Sequence, residues 1–449
     1  MKKLEKRAIL CLLLAAFLVL GAAVFTVRLG MEGGNWASYY ANRHVFREGR
    51  LSVGAVYDRN GILLLKNDKD GQHYNDDREL RIANLHVTGD LDSNIVTGAN
   101  VAFRSRMIGY NFITGTSGTL LDRLDTETGI SWVDRLGSGR KATLTVDAEL
   151  NRTAYRALAG RNGLVCVYNW KNGEILCLVS SPSFDPADEN AAAAAKSGSF
   201  LNKAISSCLT PGSIFKLVTM AAAVENLPDL ENWTFTCSGK YEVEGEYVTC
   251  SAAHGTQNIY DALANSCNCA FASLTLELGP ETMQEYADQL GLTSSYDING
   301  IAAAKGQFLF DGAGIQRAWA GIGQYEDQLN PLSMLVYVGS IAGGGTAASP
   351  VLLKGSRTSD VELLDAGTAA QLKSMMRNNV KSNYGDSNFP GLELHAKTGT
   401  AEVGTGRSPH SWFTGFSGDY AFIVCVENGG SGIGSAAPVA NAVLQELKH

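Results

Sequence analysis

The sequence predicts a mixed α/β (α+β) protein carried behind a membrane-spanning helix. Three observations predict it. Ala8–Val27 is a run of 20 residues without a charge. Short β-like runs joined by Asn-Gly turns stand in several places along the body. Between them lie longer segments with helical spacing, including the apolar stretch from Pro211 to Val224.

Composition agrees. The chain has 449 residues, 45% hydrophobic and 18% charged, which excludes a disordered chain and permits a sizeable core. Its 49 glycines follow no Gly-X-Y period, so they point to sharp turns rather than collagen. A net charge of -8 argues against a nucleic-acid partner, whose footprint would be basic.

Residues 1–7, MKKLEKR, carry a net charge of three positives and precede the uncharged run. At about 1.5 Å per residue, that run makes roughly 30 Å of helix, the thickness of a bilayer core. A cleaved signal peptide is the other reading, but Phe25-Thr26-Val27-Arg28 makes a poor cleavage site. The basic flank places the N-terminus in the cytoplasm and the body outside. The expected organisation is a tail at 1–7, an anchor at 8–27, a juxtamembrane module at 28–140 and the main domain at 141–449. Outside the membrane there is no ATP, so bond formation must draw on a bond already in the substrate, as acyl exchange does. No phosphate-binding Gly-x-x-x-x-G-K-[ST] loop is present.

Within the juxtamembrane module, Val53–Leu65 reads as two β-runs joined through Asn60-Gly61, and Gly115–Gly139 as a connector. Next, KATLTVD from Lys141 is a strand candidate and Ala148–Leu158 a helix. Leu164–Ser180 is a hairpin turning at Lys171-Asn172-Gly173, followed by a proline-bearing loop. Ala191–Ala195 is expected to be helical, Ser411–Phe416 and Ala421–Glu427 to be strands, and Pro438–Lys448 a terminal helix.

The nine cysteines follow no zinc spacing along the chain, and no His-Glu-x-x-His is present, so neither metal nor cofactor is expected. Cys237 and Cys250 flank SGKYEVEGEYVT, a hairpin candidate. An external compartment permits a disulfide between them, with reduced thiols as the alternative. Cys267-x-Cys269 has the form of a metal or redox pair, but alternation on a half-buried element explains it better.

Three clusters could carry chemistry. Ser213 falls in the first turn of the apolar helix, near unpaired backbone N–H groups and the positive end of its dipole. Lys216 is three residues on, on the same face. A lysine inside an apolar helix is costly unless neutral or paired, and a neutral amine can take the proton of Ser213. Asn265-Ser266-Cys267-Asn268 sets a hydroxyl and a carboxamide two apart, for proton relay and for holding a peptide group; in isolation, helix capping explains it better. Lys397-Thr398-Gly399-Thr400 follows an alternating run, so Lys397 and Gly399 share one strand face, Thr398 and Thr400 the other. The cation and hydroxyls suit a carboxylate, and glycine allows a substrate backbone to lie close. Decoys exist: Ser138/Lys141 repeats the first pattern and Lys196-Ser197-Gly198 the third. Both precede Ser213 and break the order. His254, His395 and His410 lack any nucleophile-elbow context, and structural roles suit them better; His395 shares a strand face with Lys397.

Ser-x-x-Lys, Ser-x-Asn and Lys-Thr-Gly are together a known signature of penicillin-binding proteins and class A β-lactamases. Here they stand at 213, 266 and 397, separated by 53 and 131 residues. With these residues the chain resembles the class B, monofunctional penicillin-binding proteins. Further likeness lies in Tyr57–Gly61 (YDRNG), Gly173–Leu176, Ser181–Pro186, Asn202-Lys203-Ala204, Gly323-Gln324, Ala342–Gly345, Lys397–Glu402 and Glu427–Gly430. Ala342-Gly343 departs from the usual Ala-Asn. The short first module and Gly404–Trp412 are most similar to the compact penicillin-binding protein A type.

The resemblance implies a transpeptidase domain with an antiparallel sheet flanked by helices and an all-α part. It implies that Ser213 attacks the D-Ala–D-Ala bond of a peptidoglycan stem, with Lys216 as base, Ser266 relaying the proton and Lys397 holding that network. Asn268 would orient the donor peptide, Thr398 and Thr400 its carboxylate, and the N–H groups of Ser213 and Thr400 the oxyanion. Expected partners are donor and acceptor stem peptides, β-lactams that imitate the donor, the cell membrane and a membrane glycosyltransferase. The rival readings are a D,D-carboxypeptidase or β-lactamase on the same fold, and a non-enzymatic penicillin-binding scaffold or sensor.

Overall fold

The computed structural model describes residues 2–37, 54–68, 71–107 and 141–448. The connector expected at Gly115–Gly139 and the decoy Ser138 lie outside the described residues. Two compact units divide the chain. One comprises Met1–Tyr57, Leu63–Tyr74 and Ala99–Ala142, and the other Asp58–Ile62, Asn75–Gly98 and Thr143–His449.

In the first unit, helix α1 (Lys2–Ala37) contains the uncharged run. Its Arg7–Arg28 stretch, with a mean hydropathy of 2.9, is long and apolar enough to cross a membrane. Leu12, Phe17 and Leu18 stand exposed on it. Strands β1 (Ala55–Tyr57), β2 (Leu63–Asp68), β3 (Gly71–Tyr74) and β4 (Lys141–Thr143) form a small sheet ordered β3-β2-β1-β4. β1 and β2 pair antiparallel, Tyr57 opposite Leu63, as the Asn60-Gly61 signal predicts.

The second unit includes two stretches from the segment expected to be a separate module. Asp58 folds its own turn, accepting the N–H groups of Asn60 and Ile62, and caps Ala148 with its other oxygen. Helix α2 (Arg78–Ala83) carries Arg81, which grips Asp185 through two bonds at 2.9 and 2.7 Å. These polar contacts explain why Asn75–Gly98 clusters with the main body.

The centre of this unit is an antiparallel sheet of five strands. β5 (Gly163–Asn169) and β6 (Ile175–Ser181) form the hairpin predicted around Gly173. The others are the late strands β11 (His395–Ala401), β12 (His410–Ser417) and β13 (Tyr420–Val426), in the order β11-β12-β13-β5-β6. Short strands intervene in sequence, among them β7 (Thr234–Cys237), β8 (Lys240–Val243), β9 (Glu246–Thr249) and β10 (Gly255–Asn258). β8–β9 is the predicted hairpin, and β7 pairs with β10.

Helix α3 (Ala148–Leu158), capped by Asp147, and the terminal helix pack on one face of the sheet, burying Leu150, Leu158, Phe413, Phe422 and Val443 in one core. On the other side lie α4 (Lys216–Asn226), α5 (Ile259–Ala264), α6 (Asn268–Gln289, broken at Gly279), α7 (Pro331–Ala342) and α8 (Ala366–Asn379). The terminal helix, α9, spans Ala437–Glu446. Ala191–Ala195 is a series of turns and not the expected helix. Five alanines with no apolar face to bury cannot offset the cost of helix nucleation.

Candidate active site

Local chain geometry brings the nucleophile to a sheet edge. Pro211 precedes a 3₁₀ turn at Gly212–Ile214, and α4 follows from Lys216. Gly212 has φ of 56°, where a side chain would be strained, and a Cβ there would come within 2.5 Å of the Thr400 carbonyl oxygen. The turn therefore lies directly against edge strand β11. Gly212 N–H donates to Gly323 O at 2.7 Å, and the Trp412 indole donates to Thr210 O at 3.0 Å, fixing the turn from two sides.

Lys216 is fully buried among apolar neighbours on α4. Its Nζ lies 3.1 Å from Ser213 Oγ, 2.6 Å from Ser266 O, 3.2 Å from Ser266 Oγ and 2.7 Å from Asn268 Oδ1. Four acceptors around one nitrogen explain how a lysine survives there: burial without partners would be prohibitive. Burial lowers its ammonium to about 8, partly opposed by the nearby thiols of Cys250, Cys267 and Cys269.

Ser266 has φ of 52°, a left-handed turn between α5 and α6. The Cys267 side chain caps α6 by accepting the Ala270 N–H, so Asn268 becomes that helix's first residue. This kink aims Ser266 Oγ and Asn268 Oδ1 at the same amine. The other end of the carboxamide donates to Thr249 O at 2.9 Å.

Lys397, also fully buried, reaches Ser266 Oγ at 2.9 Å and its neighbour's carbonyl, Thr398 O, at 3.0 Å. Burial first, and then the charge of Lys216, push its ammonium well below the usual lysine range. Two buried amines sharing one hydroxyl cannot both stay charged at little cost, so the pair readily gives up a proton.

Thr398 and Thr400 line a cleft of about 430 Å³ with Ser213, Ser266 and Asn268. Gly399 does not line it. A Cβ on Gly399 would meet Trp412, Ile214 and Pro211, so the glycine allows a close approach to the protein's own nucleophile turn. The seven residues Ser213, Lys216, Ser266, Asn268, Lys397, Thr398 and Thr400 thus converge on one place.

The suggested Cys237–Cys250 disulfide is absent; both thiols are free. Cys250 Sγ instead faces Cys267 Sγ at 3.8 Å and accepts the Asn268 N–H at 3.3 Å. Of the histidines, His395 stacks on Phe416 at 4.6 Å and burial holds its imidazole near 4, so it is a neutral packing group. His410 accepts the Asn428 N–H, and His254 lies beside Cys250.

Tyr384, outside all three motifs, joins the site: its hydroxyl accepts the Thr398 N–H at 3.1 Å and sits 3.1 Å from Thr398 Oγ1. Trp319 and Thr249, the last residue of β9, also line the cleft. No pattern in their neighbourhoods carries a chemical signal; only the fold brings them in.

The chain matches the penicillin binding protein transpeptidase domain over residues 163–445. It is 29% identical over 328 residues to the peptidoglycan D,D-transpeptidase PbpA of Mycobacterium tuberculosis, covering 63% of this chain and 66% of that protein. Stage V sporulation protein D of Bacillus subtilis is 28% identical over 290 residues, covering 59% of this chain and 44% of that protein. Both matches span less than two thirds of the relative's length. The ceftriaxone acyl-enzyme complex of penicillin-binding protein A from M. tuberculosis has the same fold, with a TM-score of 0.75 at 24% identity over 89% of this chain and 98% of that one.

Proposed function

We infer the reaction from descent and geometry together: the chain belongs to the penicillin-binding protein transpeptidase family. The proposed activity is D,D-transpeptidation of peptidoglycan through an acyl-enzyme on Ser213. The single observation that carries it is the Lys216 amine, buried and 3.1 Å from Ser213 Oγ, within one network with Ser266 and Lys397.

Neutral Lys216 takes the proton of Ser213 as Oγ adds to the carbonyl carbon of the penultimate D-alanine. The N–H groups of Ser213 and Thr400 receive the oxyanion, since a 3₁₀ turn leading into a helix faces an edge strand here. Ser266, held between Lys216 and Lys397, passes the proton to the departing D-alanine nitrogen. One peptide bond is broken and one ester formed. The acceptor amine of a second stem then attacks that ester, giving up its proton through the same network, and Ser213 regains its hydrogen as the new peptide bond forms. The exchange needs no nucleotide.

Asn268 serves first to hold Lys216 through Oδ1, and its amide end lies near enough to the cleft to meet the donor peptide. Thr398, set by Tyr384, and Thr400 hold the donor carboxylate. We assign residues 1–7 to the cytoplasm, 8–27 to the membrane, 28–140 to a juxtamembrane pedestal, except for Asp58–Ile62 and Asn75–Gly98, which belong to the catalytic unit, and the catalytic domain to the outer face, beside a membrane glycosyltransferase that supplies nascent strands. β-Lactams acylate Ser213 as donor mimics.

The test is a crosslinking assay with pentapeptide-bearing glycan strands and the full chain. D-Alanine release together with crosslinked product, both lost in Ser213→Ala, is the expected result. D-Alanine release without crosslinks would replace transpeptidation by carboxypeptidation, and activity surviving in Ser213→Ala would remove the nucleophile.

A further inference from the structure

Cys237, Cys250, His254 and Cys267 come from three pieces of chain: the end of β7, the loop between β9 and β10, which carries both Cys250 and His254, and the cap of α6. Their ligand atoms nevertheless all lie within 4.8 Å of one another. Cys250 Sγ is 3.8 Å from Cys267 Sγ and 3.5 Å from His254 Nδ1. A tetrahedral zinc ion with Zn–S of about 2.3 Å and Zn–N of about 2.0–2.1 Å has S···S edges of about 3.8 Å and S···N edges of about 3.6 Å. These two edges agree with that tetrahedron. A disulfide would join two of these atoms and leave a third thiol and an imidazole crowded beside it with no purpose.

We propose that Cys237, Cys250, His254 and Cys267 bind one zinc ion in a closed tetrahedral site that staples residues 234–258 to the first turn of α6.

Three further features agree. Cys237 and Cys267 are buried and Cys250 and His254 half-buried, with Cys250 at the edge of the catalytic cleft, and four protein ligands complete a tetrahedral shell as a structural site requires. Backbone N–H groups already point at two of the sulfurs: Asn268 N–H at Cys250 Sγ, 3.3 Å, and Ala270 N–H at Cys267 Sγ, 3.4 Å. Such N–H···S bonds are the outer contacts that orient metal-bound sulfurs. Finally, the stapled segment has little core of its own. Of the sixteen residues in β7 to β10, only Cys237, Val243, Val248 and Gln257 are buried. A metal supplies what so thin a core cannot. Cys269 is outside the set; its Sγ faces Val248 O at 3.6 Å.

Binding releases the three thiol protons to solvent, with no redox change. An iron–sulfur cluster would need the sulfurs spread wider, around several metal atoms. The ligand Cys267 stands between Ser266 and Asn268, so the ion would hold both Lys216 acceptors in place. That consequence rests on the function proposed above; the metal assignment does not.

The full chain, purified in detergent without chelators, is expected to carry about one zinc ion per molecule by elemental mass spectrometry. Cys250→Ser and His254→Ala should lose it, whereas Cys269→Ser and Ser213→Ala should keep it. Wild type stripped of metal and titrated with Co²⁺ should saturate at one equivalent with thiolate charge-transfer and tetrahedral d–d bands, a readout that stands even if the variants fail to fold. Stripping should slow acylation by fluorescent penicillin, and Zn²⁺, not Mg²⁺, should restore it. A metal-free wild type that takes up no Co²⁺, a Cys237–Cys250 disulfide in peptide maps, or full zinc in both ligand variants would overturn the site. Unchanged acylation after stripping would overturn its positioning role. Because Ser213→Ala retains zinc, failure of the site and failure of the proposed activity are read separately.

Discussion

Replacing Gly399 by alanine should pry apart the two elements that carry Ser213 and Thr400. A Cβ at Gly399 would come to 2.9 Å from Trp412 Cβ, 3.0 Å from Ile214 Cγ2 and 3.1 Å from Pro211 O. Ordinary carbon contacts lie at about 3.5–4.0 Å, so strand and turn must separate by roughly 0.5–1 Å. Both neighbours are held: Trp412 is fully buried with its indole bonded to Thr210, and Ile214 is buried in the turn. Overpacking of this kind costs about 1–3 kcal/mol of stability. The kinetic effect should be larger, since a misplacement of about 1 Å at reacting groups can cost about 10²-fold, or about 2.7 kcal/mol of barrier. The assay is the second-order rate of fluorescent penicillin acylation beside a thermal melt. Gly367→Ala, which has open space around it, is the control and should change neither. Wild-type acylation by Gly399→Ala would refute the claim that the closeness of strand and turn sets the site.

Lys216→Met keeps the side chain's volume and removes the base, so acylation should fall by about 10²–10⁴-fold in stopped-flow labelling. Its wild-type rate should rise with pH through about 8, because the amine acts only when neutral and protonation on the acid side removes it. The groups around that amine are Ser213, Ser266, Asn268, Lys397 and the thiols of Cys250, Cys267 and Cys269. A flat profile across that pH would exclude Lys216 as base. Tyr384→Phe leaves the Thr398 N–H without its acceptor, and should weaken donor binding by about 0.5–1.5 kcal/mol, seen in KM more than in kcat.

Much of this was legible in the chain because the chemistry is local. Ser213 and Lys216 are one helical turn apart, and Ser266 and Asn268 flank one kink, so spacing alone pairs them. Hairpins announce themselves through Asn-Gly turns, and α3 through its periodic apolar face. What stayed hidden depends on distant contacts. Tyr384 reaches Thr398 only because the chain turns back over β11 after α8. The role of Gly399 is packing against Trp412, which no strand pattern reveals. Cysteine spacing looked unlike a zinc site because its four donors are gathered by strand pairing and a helix cap, not by a short sequence motif. Asn75–Gly98 joined the main body through Arg81 and Asp185, an ion pair spanning 104 residues.

The Ser213 hydroxyl is the atom expected to become acylated. Reaction of the full chain with benzylpenicillin, followed by intact mass and peptide mapping, measures it directly. One penicilloyl adduct, confined to the peptide containing Ser213 and missing from Ser213→Ala, is the predicted outcome. An adduct on any other residue, or an unmodified chain whose fold is intact, would contradict it.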